Sequence, residues 1–191
     1  MKNKLFYFAV LFIGISISAQ TKSNTQKMGF YTNLDANIGF DLVTILRNDK
    51  NKTEYEKQQE VPGKYNYGFT STAGFQPLKW FVLGAGFRYS YIDPNNHFIY
   101  FLLQPQFILS NPQEDDPIFL KLSLGKQINQ TSINNNEFLG ISLGKTEVLS
   151  PRFSHYFQVN LDFQNANDGG VAFVGVSYGV QIFSNKNFKS N

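Results

Sequence analysis

Residues 30–42 alternate between apolar and polar side chains, and this pattern constrains the fold more than any other feature of the chain. Six of the seven even positions are apolar, among them Phe30, Leu34 and Ile38, whereas the odd positions carry no aliphatic side chain. Successive side chains of a β-strand point to opposite faces. The segment therefore predicts a strand with one apolar and one polar face. At about 3.3 Å per residue it spans roughly 43 Å, longer than an ordinary globular strand.

The same alternation recurs in seven further segments, and no segment carries a sustained helical period. The segments comprise residues 64–76, 80–91, 97–109, 118–127, 138–146, 152–164 and 171–183. The fourth strand is the least regular, because Phe98, Tyr100 and Leu102 interrupt its polar face. The chain is therefore predicted to be all-β, an eight-stranded antiparallel up-and-down barrel.

The first nineteen residues have the features of a secretory signal peptide. Lys2 and Lys4 precede an apolar run that ends at Ala19, where a small side chain suits cleavage. The run is shorter than the roughly 20 residues that a membrane helix needs. We predict a signal peptide at residues 1–19 and one barrel domain at residues 20–191, with an uncleaved N-terminal anchor as the alternative.

Composition excludes several classes of protein. The net charge is +3, of which Lys2 and Lys4 supply two charges, so the basic balance does not indicate nucleic-acid binding. The chain has no Cys, which excludes disulfides and thiolate metal sites. No sequence pattern indicates a cofactor, a metal ion or a catalytic set, and we expect no enzyme activity.

The alternation leaves open which face of the barrel is outside. A soluble ligand-carrying barrel would have its polar face outside and would need many charges there. The polar faces here are instead rich in Gly, Ser, Thr, Asn and Gln, as a narrow lumen requires. Most strands reach the roughly 9–11 residues that cross a bilayer at a tilt. Aromatic residues gather near strand ends, as at Trp80 and Phe183. These observations favour a transmembrane barrel with its apolar face outside.

Connector lengths predict the orientation. The connections after the odd strands include the longest loop, residues 47–63, and are longer on average than those after the even strands. Membrane barrels have short periplasmic turns and longer external loops. We therefore expect both termini in the periplasm and residues 47–63 outside, where they could contact an extracellular or envelope protein.

A few charged side chains are predicted to face the lumen. Their positions are Asp35, Asp41, Arg88, Lys121, Arg152 and Asp162. Buried charges are tolerated only when they are paired. We therefore predict an ionic network that plugs the lumen, with Arg88, Asp162 and Asp41 in the outer half and Lys121 and Arg152 in the inner half. A narrow ion path lined by the same residues is the alternative.

The alternative function is a lipid-modifying enzyme, which would use one of the two histidines as its base. His155 follows Ser154, whereas His97 lies near Asp93 and Ser90. A nucleophile and its base must lie within hydrogen-bonding reach of each other. Nothing in these spacings requires that proximity, so we expect both histidines to be ordinary residues of the membrane interface.

The chain resembles the small eight-stranded outer-membrane β-barrels of Gram-negative bacteria, such as the OmpA transmembrane domain, OmpX and PorT-like proteins. The resemblance rests on the signal peptide, the strand pattern and the terminal strand, residues 176–183, which ends in an aromatic residue. Residues 184–191 depart from the usual terminal aromatic residue. The resemblance implies the cell outer membrane as location, with its lipids and the barrel-assembly machinery as partners. It implies a structural or binding role and no catalytic residues.

Overall fold

The computed structural model describes residues 29–42, 65–93, 95–110, 117–131, 136–150, 152–166 and 169–184. The predicted signal peptide and residues 47–63 lie outside these ranges. The strands are β1 (Phe30–Asp41), β2 (Tyr65–Leu78), β3 (Phe81–Ile92), β4 (Asn96–Ile108), β5 (Ile118–Gln127), β6 (Glu137–Ser150), β7 (Phe153–Ala166) and β8 (Gly169–Phe183). No helix among the described residues has the length and apolar character to cross a membrane.

Each strand pairs with the next, and β8 pairs with β1, so the sheet closes into a barrel. All eight pairings are antiparallel. Because the strand number is even, the start of β1 and the end of β8 lie at one end of the barrel, which we name the terminus end. We name the opposite end the loop end. The predicted fold class is confirmed.

The alternation in the sequence becomes an alternation of exposure. In β1 the side chains from Phe30 to Phe40 at even positions face outward, whereas Tyr31, Asn33 and the following odd positions are buried. The outer surface is therefore apolar, with Leu34 54% and Phe87 54% exposed. The prediction that the apolar face lies outside is confirmed. Such a surface suits hydrocarbon, and closure pairs the backbone groups that hydrocarbon cannot solvate.

Outward aromatic rings gather at both ends of the barrel. At the terminus end the rings of Phe30 and Phe75 lie 5.0 Å apart, and Trp80 stacks on Phe107 at 6.2 Å. At the loop end the rings of Tyr67 and Tyr91 stack at 4.7 Å. The hydroxyl-bearing rings at the loop end and the Phe and Trp rings at the terminus end lie where interfacial aromatic bands are expected, and the outward rings of Phe87 and Phe101 pack on each other between them.

Several strand boundaries differ from the prediction, and two of the differences have a clear physical cause. The second strand is predicted to end at residue 76, but β2 continues through Pro77 to Leu78, with a register irregularity that follows Phe75. Proline is tolerated at such a position because the ladder there does not need its missing N–H. The sixth strand was predicted to end at Thr146, but it continues to Ser150 because β7 pairs along that stretch. Pairing with a neighbouring strand overrides the local turn signal of Glu147 and Ser150.

The structure also shows which way the side chains of β4 point, where the sequence pattern was ambiguous. Phe98, Tyr100 and Leu102 all point into the barrel and are at most 1% exposed. The outward residues of the same stretch, Ile99 and Phe101, are apolar as well. Both faces of β4 are therefore apolar near the loop end, which is why periodicity alone could not assign them.

Candidate functional site

The candidate site is the lumen, where charged and polar side chains from opposite strands meet. Among eight strands in a ring, β3 lies opposite β7 and β1 lies opposite β5. Side chains that face inward from such strands must either meet or leave a channel. The inward face of the middle of the barrel is almost wholly polar, with Asn, Asp, Thr, Ser and Gln side chains buried there.

Arg88 bridges the lumen in the half nearer the loop end. Its Nη2 donates to Asp162 Oδ2 at 2.6 Å on the opposite strand β7, and to Asn37 Oδ1 at 3.2 Å on β1. Its guanidinium carbon also lies 4.4 Å from the centre of the Phe138 ring. The side chains of Arg88 and Asp162 are each 7% exposed. Because both charges are buried, each depends on the other to offset the cost of its desolvation.

Asp35 organises a second bridge nearer the terminus end. Tyr156 Oη donates to Asp35 Oδ2 at 2.8 Å, and Lys121 Nζ lies 3.9 Å from the same oxygen. Lys121 also lies 5.1 Å from the centre of the Tyr156 ring and 5.9 Å from that of Phe119. The ammonium group is therefore held between a carboxylate and two aromatic rings, which is favourable for a cation removed from water.

An apolar cluster closes over the Arg88 bridge at the loop end. It consists of Ile92, Phe98, Tyr100, Leu102, Phe138, Val171 and Phe173. The Tyr100 and Phe138 rings lie 5.4 Å apart, and Tyr100 Oη donates to Gln164 Oε1 at 2.7 Å. The cluster thus joins residues of β3, β4, β6 and β8 across the interior.

Inward glycines make room for the large inward side chains. A Cβ atom on Gly179 would lie 2.6 Å from Tyr156 Oη and 2.7 Å from Asp35 Cβ. A Cβ atom on Gly84 would lie 2.7 Å from Tyr31 Oη. All three distances are too short for a carbon atom, so these positions must lack a side chain if the tyrosines are to extend into the lumen.

Four of the six predicted lumen charges meet in these two bridges: Asp35, Arg88, Lys121 and Asp162. Asp41 is buried on the inward face at the loop end of β1. The placement of Arg152 was wrong, because it lies in the turn before β7 and is exposed. The pattern assigned it to the lumen by extending the alternation of β7 one residue too far.

Several partners of these charges were not identified from the sequence. Asn37, Tyr156 and Phe138 contact the charged groups. Tyr100 of the apolar cluster donates a hydrogen bond to Gln164. Their inward positions follow from alternation, except in β4. Their contacts depend on which strands face each other and at what register, which no local pattern reports.

The structure separates each histidine from the serine considered with it. Ser154 is fully buried inside the barrel, whereas His155 faces outward. Ser90 is likewise buried inside, whereas His97 is exposed and contacts Tyr89 Oη at 2.8 Å and Asn95 Oδ1 at 3.0 Å. The wall of the barrel therefore lies between each candidate nucleophile and its candidate base. In the described part of the chain, no group of three or more acidic or His residues could hold a metal ion.

No protein-family model and no curated protein sequence matches the chain. Among solved structures, Neisserial surface protein A is 13% identical with a TM-score of 0.51, over 82% of this chain and 99% of that chain. This chain has the fold of a small outer-membrane barrel. The N-terminal β-barrel domain of Pseudomonas aeruginosa OprF is 14% identical with a TM-score of 0.46, over 80% and 97% of the two chains. The Yersinia pestis outer membrane protein Ail is 12% identical with a TM-score of 0.36, over 78% and 99%.

Proposed function

We propose that this chain is an outer-membrane barrel with a structural or loop-mediated binding role and a lumen closed to ions. The observation that carries the proposal is the Arg88 bridge to Asn37 and Asp162, covered by the apolar cluster at the loop end. An ion that followed the axis would have to displace a buried ion pair and then cross apolar side chains. The lumen of an eight-stranded barrel is about filled by its own side chains.

The proposed orientation places the terminus end in the periplasm. The connection from β2 to β3 contains only residues 79–80 and that from β6 to β7 only residues 151–152, whereas the longest connection, residues 42–64, is at the loop end. Short periplasmic turns and long external loops are the rule for such barrels. Residues 47–63 would then face the medium, where a protein partner could bind them. The lipids of the outer membrane would surround the apolar exterior, and the barrel-assembly machinery would insert it.

A narrow ion path along one wall of the lumen is the second candidate. Seven buried polar atoms on β1, β2 and β7 have no hydrogen-bond partner among the described residues, and they include Asn33 Oδ1, Thr72 Oγ1, Gln158 Oε1 and Asn160 Oδ1. Buried polar atoms of this kind are commonly satisfied by internal water. A file of such waters would still meet the apolar cluster at the loop end, so we favour the closed lumen.

Planar-bilayer recording tests the closed lumen. The purified barrel should produce no steady single-channel conductance in a membrane where an open porin, recorded in the same cell as a control, conducts. This expectation rests on the two cross-lumen bridges and the apolar cluster, which an ion on the axis would have to pass. Large, steady openings of the barrel would contradict the closed lumen and favour the ion path.

A lipid-modifying enzyme is the least supported alternative. A hydrolytic site needs a nucleophile, a base and an orienting group within hydrogen-bonding reach. His155 has such contacts with Tyr178 and Glu147, but Ser154 lies on the other side of the barrel wall. We therefore propose a non-enzymatic role.

A further inference from the structure

Outward charged side chains are confined to one sector of the barrel. Within the described ranges, the outward faces of β1, β2, β3, β4 and β8 carry no Lys, Arg, Asp or Glu. The outward charges are Lys126 on β5 and Glu137, Lys145 and Glu147 on β6, with His155 beside them on β7. The cost of a charge on the lipid-facing surface falls toward the membrane interface, so a group of outward charges is expected where lipid headgroups surround the barrel.

The group toward the terminus end, which we name the β6–β8 cluster, comprises Lys145, Glu147, His155 and Tyr178. His155 Nε2 lies 3.0 Å from Glu147 Oε2, and His155 Nδ1 lies 3.1 Å from Tyr178 Oη. A carboxylate only accepts, so Nε2–H donates to Glu147. In the neutral ring Nδ1 then accepts from the Tyr178 hydroxyl. The three side chains form one hydrogen-bonded row across three strands.

Apolar side chains lie on both sides of this row. Along β7 the outward residues are Phe153, His155 and Phe157, so an outward phenylalanine precedes and follows the histidine on the same face. Lys145 pairs in register with Phe157, and Tyr178 pairs with Phe157 and with Ala36. The cluster therefore lies on the strands themselves, at the edge of the apolar belt toward the terminus end.

The cluster remains open to the surroundings despite its internal contacts. The Glu147 side chain is 60% exposed and Tyr178 is 56% exposed. Lys145 is exposed on the same face of β6, two residues from Glu147. A cation and an anion on β6 and a hydroxyl on β8 thus face outward on either side of β7, whose own outward residues include Phe157 and Val159.

We infer that the β6–β8 cluster binds the headgroup of a phospholipid that carries both a phosphate and a primary ammonium. This inference rests on the proposed function, which places the barrel in a membrane. Lys145 would contact the phosphate, and Glu147 would accept hydrogen bonds from the ammonium. The acyl chains would lie on Phe157 and Val159, the outward residues above His155 on β7. Hydrogen bonds between ionised groups are the strong ones, and they gain strength where water is scarce.

A lipid fits this surface better than a second copy of the chain. Headgroups surround every inserted barrel at the level of the aromatic band, so the site meets them without protein association. The outward residues that flank the cluster, Phe153 and Val159, are of the same kind as those around the rest of the belt. They offer no larger contact face that would hold a second barrel.

Native mass spectrometry of the full chain in nanodiscs tests this inference. The protein, purified from membranes as the producing cell processes it, is placed in nanodiscs of equimolar phosphatidylethanolamine, phosphatidylcholine and phosphatidylglycerol. After release, it should retain phosphatidylethanolamine at least about fivefold over each of the other two, as expected for one charge-assisted contact. Only phosphatidylethanolamine carries both the phosphate and the primary ammonium.

Variants locate the preference. Glu147→Gln should remove the preference over phosphatidylcholine, and Lys145→Gln should reduce retention of all three lipids. The matched pair Lys126→Gln and Glu137→Gln, at the loop end of β5 and β6, should leave the preference unchanged. Tyr178→Phe keeps the ring and is a second, milder probe should Glu147→Gln insert poorly.

Two results would overturn the inference. The first is the same retention of phosphatidylethanolamine over the other lipids in the unmodified protein and in Glu147→Gln. The second is a dimer of the unmodified protein that disappears in Glu147→Gln. The first would leave the cluster without a lipid and the second would assign it to a second copy. Failure of the unmodified protein to insert into nanodiscs would instead refute the proposed function itself. Heat-modifiable gel migration, which reports the closed barrel, separates these cases.

Discussion

Replacing Asp162 with alanine should lower the free energy of unfolding by about 3–5 kcal/mol, the range measured when one partner of a buried ion pair is removed. Asp162 accepts from Arg88 at 2.6 Å, and both side chains are 7% exposed. Without the carboxylate, the guanidinium stays buried beside the Asn37 amide and the Phe138 ring, and its charge has lost its counter-ion. Urea unfolding in lipid vesicles, followed by gel migration of unheated samples, measures the loss.

A double variant distinguishes the ion pair from the loss of packing. Arg88→Met combined with Asp162→Leu removes both charges and keeps most of the volume, so it should be more stable than Asp162→Ala alone. The matched control is Glu137→Gln, an exposed carboxylate opposite Lys126, which should change stability by about 1 kcal/mol or less. Equal losses for Asp162→Ala and Glu137→Gln would contradict the buried bridge.

Replacing Leu34 with arginine should cost about 2–4 kcal/mol in a bilayer, the range for a charge at the midplane of a membrane barrel. Leu34 is 54% exposed and lies on the outward face of β1 between Phe30 and Phe40, which mark the two ends of that face. The arginine side chain would have to remain in hydrocarbon or bend far along the surface to reach the headgroups. The measurement is again urea unfolding in vesicles.

The control for Leu34→Arg is the same substitution at a different depth in the bilayer. Phe30→Arg places the same charge at the terminus end of the same strand, where the cost falls to about 0–1 kcal/mol. The two variants share the strand, the face and the introduced residue, and Phe30→Arg additionally removes the ring contact with Phe75, so a smaller cost at position 30 reports depth. Equal costs at the two positions would mean that the outer surface of β1 does not cross a bilayer.

The count and order of the strands followed from the sequence because a half-buried strand has a period of two, which local residues report. The assignment of the apolar face to the outside also held, since small and amide side chains such as Asn33 and Gly84 fit only a narrow interior. These features depend on alternation along one strand and on composition, and neither requires knowledge of any contact between distant residues.

The details of the lumen did not follow from the sequence. Arg88 and Asp162 are 74 residues apart, and their contact depends on the register of every strand between them. Phe98 and Tyr100 could not be placed because both faces of β4 are apolar there. Arg152 was misplaced by one residue at the start of β7, where exposure changes abruptly from turn to strand. Errors thus arose in two kinds of place: on a strand without a distinct polar face, and at the end of a strand.

Tryptophan fluorescence with brominated lipids tests the central claim, that the apolar exterior of the barrel lies in a bilayer. The chain has one tryptophan, Trp80, which is 52% exposed at the terminus end and stacks on Phe107. Bromine near the headgroup should quench Trp80 most strongly. In the double variant Trp80→Phe/Leu34→Trp, bromine near the ends of the lipid acyl chains should quench most strongly. Absence of quenching at both positions, or the same depth for both, would contradict a membrane-spanning barrel.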